Sequence, residues 1–202
     1  MLEEYIMDVN ELINDYTIIR SSRKTLGMQI KDGSLIVRVP YYISKAAADR
    51  FVKANASWIE KQLNKADERK REEASVRQLT EDEVKELADK AAAYIPGRVR
   101  YYAPLIGVTY GRITIRCQKT RWGSCSSKGN LNFNCLLMLT PEEVIDSVIV
   151  HELCHRKEMN HSARFYSEVL RVFPEYHKWD RWLKNNGRQI MAMTREFRSP
   201  DM

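Results

Sequence analysis

The stretch from Thr140 to His155 limits the fold more than any other part of this 202-residue chain. Val144, Ile145, Val148 and Ile149 recur with the period of a helix, and the signals for a helix start stand just ahead of them. Thr140 is placed to be the N-cap, Pro141 to take the first position and Glu143 to complete a capping box. On such a helix His151 and His155 share one face, about 40° apart around the axis and one turn apart along it. The apolar stripe fixes where both rings point, and Cys154 is expected to pack as a small apolar residue on the buried side. The rest of the chain must build a core around this helix.

Two imidazoles so placed can reach one Zn²⁺ ion, and Glu152 stands beside it without having to bind it. That position suits a general base taking a proton from metal-activated water, so H-E-x-x-H reads as a zincin signature. Chance explains it poorly: with 4 His and 17 Glu in 202 residues, about 0.007 such matches are expected. A catalytic zinc needs a third protein ligand. Glu158 lies on the same stripe, but an unbroken helix carries it about 4.5 Å past His155 along the axis and about 10 Å past His151. His161 follows Asn160, which tolerates the left-handed conformation that ends helices, and precedes Ser162, a good N-cap. A chain reversal there returns His161 over the metal. His151, His155 and His161 are therefore the expected ligands, with Glu158 as the alternative third ligand or a supporting group. His177 is expected at the surface or in the core.

The formal charge of +6 is unevenly spread. No acidic residue lies between Asp89 and Glu142, while Lys90, Arg98, Arg100, Arg112, Arg116, Lys119, Arg121 and Lys128 give that block +8. One explanation is a solvated strand face that happens to be basic; the other is a positive field beside the metal that draws an anionic substrate or nucleic acid. Cys117, Cys125, Cys135 and Cys154 show no C-x-x-C spacing, which points away from a zinc ribbon and toward reduced thiols. The start at Met1-Leu2-Glu3-Glu4-Tyr5 lacks the character of a signal peptide, and no run approaches ~18 apolar residues. A cytoplasmic protein without a membrane span is expected.

Along the chain, residues 1–15 read as a short amphipathic helix or arm carrying Ile6, Val9, Leu12 and Ile13. Period-two strands follow over Thr17–Arg20, Leu26–Ile30 and Leu35–Val39, read as a small antiparallel sheet whose last two members join across Lys31-Asp32-Gly33-Ser34. Pro40 ends it, and Ser44 caps a helical stretch over 45–73 that packs through Phe51, Val52, Trp58, Ile59 and Leu63. Its charged end, Asn64 to Glu73, reads as a solvated helix or hinge. Thr80 and Glu83 form a capping box for another helix, and Pro96-Gly97 leaves open whether it continues to Leu105. Strands over Val108–Gln118 and Leu131–Leu139, separated by a polar loop, precede the histidine helix. Helices over Ser162–Phe173 and Pro174–Asn186 follow it, with Phe165, Leu170, Phe173, Trp179, Trp182 and Leu183 as core. The pattern predicts an α+β fold with a β-rich N-terminal subdomain and connecting helices over 1–79 and a catalytic domain over 80–202.

Four segments share one resemblance. Lys119-Thr120-Arg121-Trp122-Gly123-Ser124-Cys125, Leu131-Asn132-Phe133-Asn134, the motif from His151 to His155 and Asn160-His161-Ser162, in that order and spacing, resemble the YgjP-like metal-dependent hydrolases. These are relatives of the SprT-like and WLM zincins, and the resemblance covers residues 15–185. It implies a zincin-like core with an antiparallel sheet packed on the H-E-x-x-H helix. It also implies zinc, or another divalent ion, on His151, His155 and His161, with Glu152 as catalytic acid or base. The T-R-W-G-S-C segment is specific to the group, whereas H-E-x-x-H is shared by many peptidases. Both peptidase and nucleoside triphosphate (UTP) pyrophosphatase activity are associated with it. In the first case a cationic or phenolic donor would stabilise the oxyanion; in the second Arg121 and Lys119 would neutralise phosphoryl oxygens and Trp122 would stack on a base or brace the hairpin. Arg121 is the catalytic candidate beside Glu152, touching substrate or else bracing the loop, and Tyr166 is a weaker donor candidate. A peptidase calls for an open strand edge beside the metal, a pyrophosphatase for a closed pocket holding Arg121. The non-enzymatic alternative is a nucleic-acid-binding module with structural zinc, although such sites normally close with four ligands.

Overall fold

Leu35, Val37 and Val39 are fully buried, and their alternation makes β3 (Ser34–Pro40) the central strand of the first sheet. The structure, a computed structural model, describes residues 9–31 and 33–194 and falls into two units, Met1–Glu72 and Glu73–Met202. In the first, β1 (Thr17–Ser21) runs parallel to β3 on one side and β2 (Gly27–Lys31) antiparallel on the other. The sheet is thus mixed, where an antiparallel one was expected. Alternation fixes which face a side chain takes and is silent on the direction of the neighbouring strand. Gly33, at φ 80°, turns the chain between β2 and β3. Asp32 of that turn, and Ile6 of the expected N-terminal helix, lie outside the described residues. The described part of that helix is α1 (Val9–Asn14), which buries Leu12.

Ser44 caps α2 (Lys45–Ala54), its hydroxyl accepting from the Ala47 amide at 3.2 Å. The chain breaks at Asn55 before α3 (Ala56–Ala74), so the expected single stretch is two helices. Val52 and Ile59 are fully buried against the sheet's apolar face, with Phe51, Trp58 and Leu63 packed at the margin.

The second unit opens with α4 (Glu81–Ile106), started by the expected box: Thr80 Oγ1 accepts from the Glu83 amide at 3.2 Å and Glu83 Oε2 accepts from the Thr80 amide at 2.8 Å. The helix runs on through Pro96 and Pro104. Each proline removes a helical hydrogen bond, but Ala91, Ile95, Val99, Tyr102 and Ile106 form one continuous buried face that holds the helix together. Gly107, at φ 81°, ends it, its amide donating to the Ala103 carbonyl at 2.9 Å.

The second sheet has β6 (Leu131–Asn134) at its centre, parallel to β4 (Ile113–Arg116) and antiparallel to β5 (Gly123–Cys125). It too is mixed, where an antiparallel sheet was expected. β5 lies inside the stretch read as a polar loop, and its Gly-Ser-Cys sequence carries no apolar alternation by which to find it. The expected strand Leu131–Leu139 stops at Asn134, and Cys135–Leu139 form a 3₁₀ turn. Buried Asn134 makes the change of course: its Nδ2 donates to the carbonyls of Gln118 (2.7 Å) and Arg121 (2.9 Å), and its Oδ1 accepts from the Leu136 amide (3.1 Å). Thr140 closes that turn, its hydroxyl donating to the Leu137 carbonyl at 2.8 Å, and so does not cap the next helix. The expected capping box is absent there: α5 (Glu142–Cys154) starts from Pro141 with no side-chain cap.

Ten of the thirteen residues of α5 are buried, which makes it the axis of the unit. Among them is Asp146, which takes the Arg98 Nε at 2.7 Å and the Tyr102 hydroxyl at 3.0 Å and so locks α4 to α5. α6 (Ala163–Val172), capped by Ser162, and α7 (Tyr176–Ala192) complete the unit. Trp122 lies on α7 at Gly187, where a Cβ would come within 2.9 Å of the indole. No described helix is long and apolar enough to cross a membrane.

Candidate metal centre

α5 ends at Cys154, ahead of Asn160, and the reversal is spread over the turns between His155 and Ser162. It brings His161 back over the helix. His151 Nε2 lies 3.2 Å from His155 Nε2 and 3.0 Å from His161 Nε2, and the ligating atoms of all three lie within 4.8 Å of one another. Four ligands at zinc–nitrogen distances of about 2.05 Å in tetrahedral array stand about 3.3 Å apart, which the two separations from His151 match. His177 is exposed and outside the cluster.

Two of the rings have outer partners that bear on where their protons lie. His155 Nδ1 lies 3.1 Å from the Glu158 carbonyl oxygen, which can only accept; the proton is therefore on Nδ1 and the lone pair of Nε2 faces the cluster. Glu158 thus supports the site through its backbone, and its carboxylate is not part of the ligand group. His151 Nδ1 meets the Tyr176 hydroxyl at 2.8 Å, and with Nδ1 as donor its Nε2 lone pair also points inward. Burial, aided by the neighbouring His155 and His161, pushes the His151 pKa down to about 4, so the ring is neutral at ordinary pH. Lone pairs meeting at 3 Å repel unless a cation sits between them.

Glu152 is 7% exposed, and burial raises its carboxyl pKa to about 8 against the opposing field of Arg121. It touches β5: a Cβ at position 123 would stand 2.7 Å from Glu152 Cγ, so glycine is needed there for the strand to approach. β5 is an edge strand. The Asn134 amide donates to Trp122 O at 2.8 Å and the Ser126 amide to Asn130 O at 2.9 Å, an alternation that turns the backbone groups of Gly123 and Cys125 away from β6. Among the described residues these groups have no backbone partner, so a free strand edge runs past the Glu152 carboxylate.

A cavity of about 240 Å³ adjoins His151 and Glu152, walled by Trp122, Val148, Tyr176 and Leu183, with Arg121 and Asp180 among its polar groups. Of the basic candidates Arg121 lines it and Lys119 does not. Tyr166 is half-buried, its ring centroid 6.3 Å from that of His161. A larger hollow of about 680 Å³ in the first unit, beside Tyr16 and Leu35, has no histidine or cysteine in its wall. Sequence reasoning missed Tyr176 and the Glu158 carbonyl, for which no local signal exists. It also missed the close approach at Gly123, which a glycine between Trp122 and Ser124 does hint at.

The family model of the YgjP-like, metallopeptidase domain matches residues 24–86 and 69–186. Among solved structures, the metallopeptidase zymogen of Pyrococcus abyssi abylysin is 26% identical with a TM-score of 0.42, over 46% of this chain and 96% of that one. That of Methanocaldococcus jannaschii jannalysin is 23% identical with a TM-score of 0.41, over 46% and 95%. No curated protein matches the chain.

Proposed function

This chain belongs to the YgjP-like metallopeptidase family, and from that premise we propose that it is a zinc-dependent peptidase with His151, His155 and His161 as ligands and Glu152 as general base. The observation that carries the reading is the convergence of three imidazoles, with His151 Nε2 3.2 Å from His155 Nε2 and 3.0 Å from His161 Nε2, and with the outer hydrogen bond of His155 turning its Nε2 lone pair inward. Zinc supplies Lewis-acid polarisation of a carbonyl and acidification of water. Glu152 takes the proton of the attacking water and hands it to the departing amine. Gly123 and Cys125 offer outward amide and carbonyl groups to which an extended peptide can add as a further strand beside that carboxylate. Tyr176 and the Glu158 carbonyl hold the rings in orientation.

Nucleotide hydrolysis has less support. Among the described residues Arg121 is the one cation lining the cavity, where a triphosphate needs several, and about 240 Å³ falls below the range of roughly 300–1,000 Å³ usual for small-molecule sites. The purified protein is expected to carry one zinc per chain, to cleave casein, to lose that activity on chelation and to leave UTP intact. Cleavage that survives complete metal removal would overturn the reading.

A further inference from the structure

We propose that Arg121 selects peptides bearing a carboxylate next to the scissile bond, with the cavity beside His151 and Glu152 taking the body of that residue. This rests on the peptidase reading above and names its substrate class. The cations of the acid-free block are put to different uses. Arg98 is committed to Asp146 and Lys90 lies 3.9 Å from Glu86. Arg112 and Arg116 line a different hollow, with Ala92 and Pro96. Arg121 alone among them lines the cavity that contains His151 and Glu152.

Its surroundings leave that charge available. The Arg121 backbone is held by the Asn134 side chain at 2.9 Å, while its side chain is exposed and makes no hydrogen bond or ion pair among the described residues. The other acid in the wall apart from Glu152, Asp180, is paired with Lys184 at 2.6 Å. An incoming carboxylate therefore meets a guanidinium with an unused bidentate face, which also offsets repulsion from Glu152. Trp122, Val148 and Leu183 give the remaining wall an apolar character suited to the stem of one side chain. The carboxylate can belong to an acidic side chain or to the end of the peptide.

The test begins with casein bonds cleaved by the zinc-loaded protein, mapped by mass spectrometry. Peptides are then built around one such bond in matched forms: Glu or Gln next to it, and a free or amidated C-terminus. Wild type is expected to favour a carboxylate form on the order of tenfold in kcat/KM, mainly through KM; Arg121→Gln erases the preference and Arg121→Glu transfers it to a Lys peptide. A preference for Glu over Gln identifies a side-chain carboxylate, and one for the free end over the amide a terminal one; both support the proposal. In parallel, binding of the same peptides to zinc-loaded Glu152→Gln is measured by fluorescence anisotropy, with and without Arg121→Gln. Equal treatment of all forms by wild type overturns the proposal and leaves the peptidase reading intact, as does a preference that survives Arg121→Gln. Should casein yield no cleaved bond, the same four forms of a peptide of fixed sequence are used for binding alone: carboxylate-dependent binding that is lost in Arg121→Gln then upholds the carboxylate site and removes the peptidase reading. Unchanged melting temperature and zinc content in Arg121→Gln exclude misfolding.

Discussion

The two units contain the same sheet twice. In each, the third strand is central, the first pairs with it in parallel, the second antiparallel, and a glycine with φ near 80°, Gly33 or Gly129, turns the chain into the central strand. What they bury differs. The core of the first unit is apolar throughout, from Leu35 to Ile59, whereas Asn134, Asp146, Ser147, Glu152 and Thr194, the buried polar residues of the described chain, all lie in the second. Asn134 and Asp146 have full sets of partners, but Glu152 faces a cavity and β5 with no hydrogen bond to its carboxylate among the described residues. The same topology thus serves once as plain packing and once as a frame for a carboxylate that is unfavourable to bury. Such a cost is expected where chemistry is done.

The contrast is broken most sharply by Glu152→Gln. It is expected to keep the zinc and the fold while lowering kcat by roughly 10²–10⁴-fold, read as casein cleavage at equal metal content. Undiminished turnover would remove the general base from the mechanism and leave its burial unexplained. The counterpart in the first unit is Leu35→Ala, which opens a cavity at a fully buried site. It should cost about 2–5 kcal/mol in denaturant unfolding of that unit and leave zinc affinity unchanged. A loss of zinc with Leu35→Ala would mean that the two cores are not separate.

A second difference between the units is titration. In the metal-free protein Glu152 holds its proton up to about pH 8 when folded, against 4.5 for an ordinary glutamate. The folded state then binds more protons than the unfolded one between these values, so stability is full below pH 4.5 and falls as pH rises through 8. His151 acts in the opposite sense: its pKa falls from 6.5 to about 4 on folding, so its contribution is full above 6.5 and lost as pH drops through 4. The two slopes oppose each other between pH 4.5 and 6.5, and above 6.5 that of Glu152 is left alone. Glu152→Gln uncovers them: the metal-free variant should gain on wild type as pH rises, by roughly 3 kcal/mol near pH 7, and zinc should shrink the difference by favouring the carboxylate. Parallel pH profiles of the two metal-free proteins would show that Glu152 is solvated after all.

The helix carrying His151 and His155 was legible because its apolar period and histidine spacing are local. His161 could be picked because Ser162 announces a new helix, although the reversal lies in turns rather than at Asn160. The helix start departs from the sequence expectation because Thr140 has two possible uses, and the preceding 3₁₀ turn takes its hydroxyl. Strand direction was illegible in both sheets, since alternation encodes faces only. β5 was missed because three residues of Gly, Ser and Cys lack any pattern; its position is set by partners distant in sequence, Phe133 and Glu152.

Tyr176 gives the smallest expected effect and the finest distinction. It comes from a helix separated from α5 by 21 residues, yet its hydroxyl holds His151 Nδ1 at 2.8 Å in a buried position. Tyr176→Phe removes one oxygen and keeps the ring, so packing against His151 and Tyr166 survives. If the hydroxyl fixes the ring and its tautomer, zinc affinity measured by chelator competition should fall by about 10–100-fold, with the melting temperature of the metal-free protein nearly unchanged. If the hydroxyl matters only to packing polarity, the melting temperature will drop while zinc affinity stays where it was. The buried polar groups of the second unit would then stabilise its fold without tuning its site, and the division between frame and chemistry would have to be drawn at Glu152 alone.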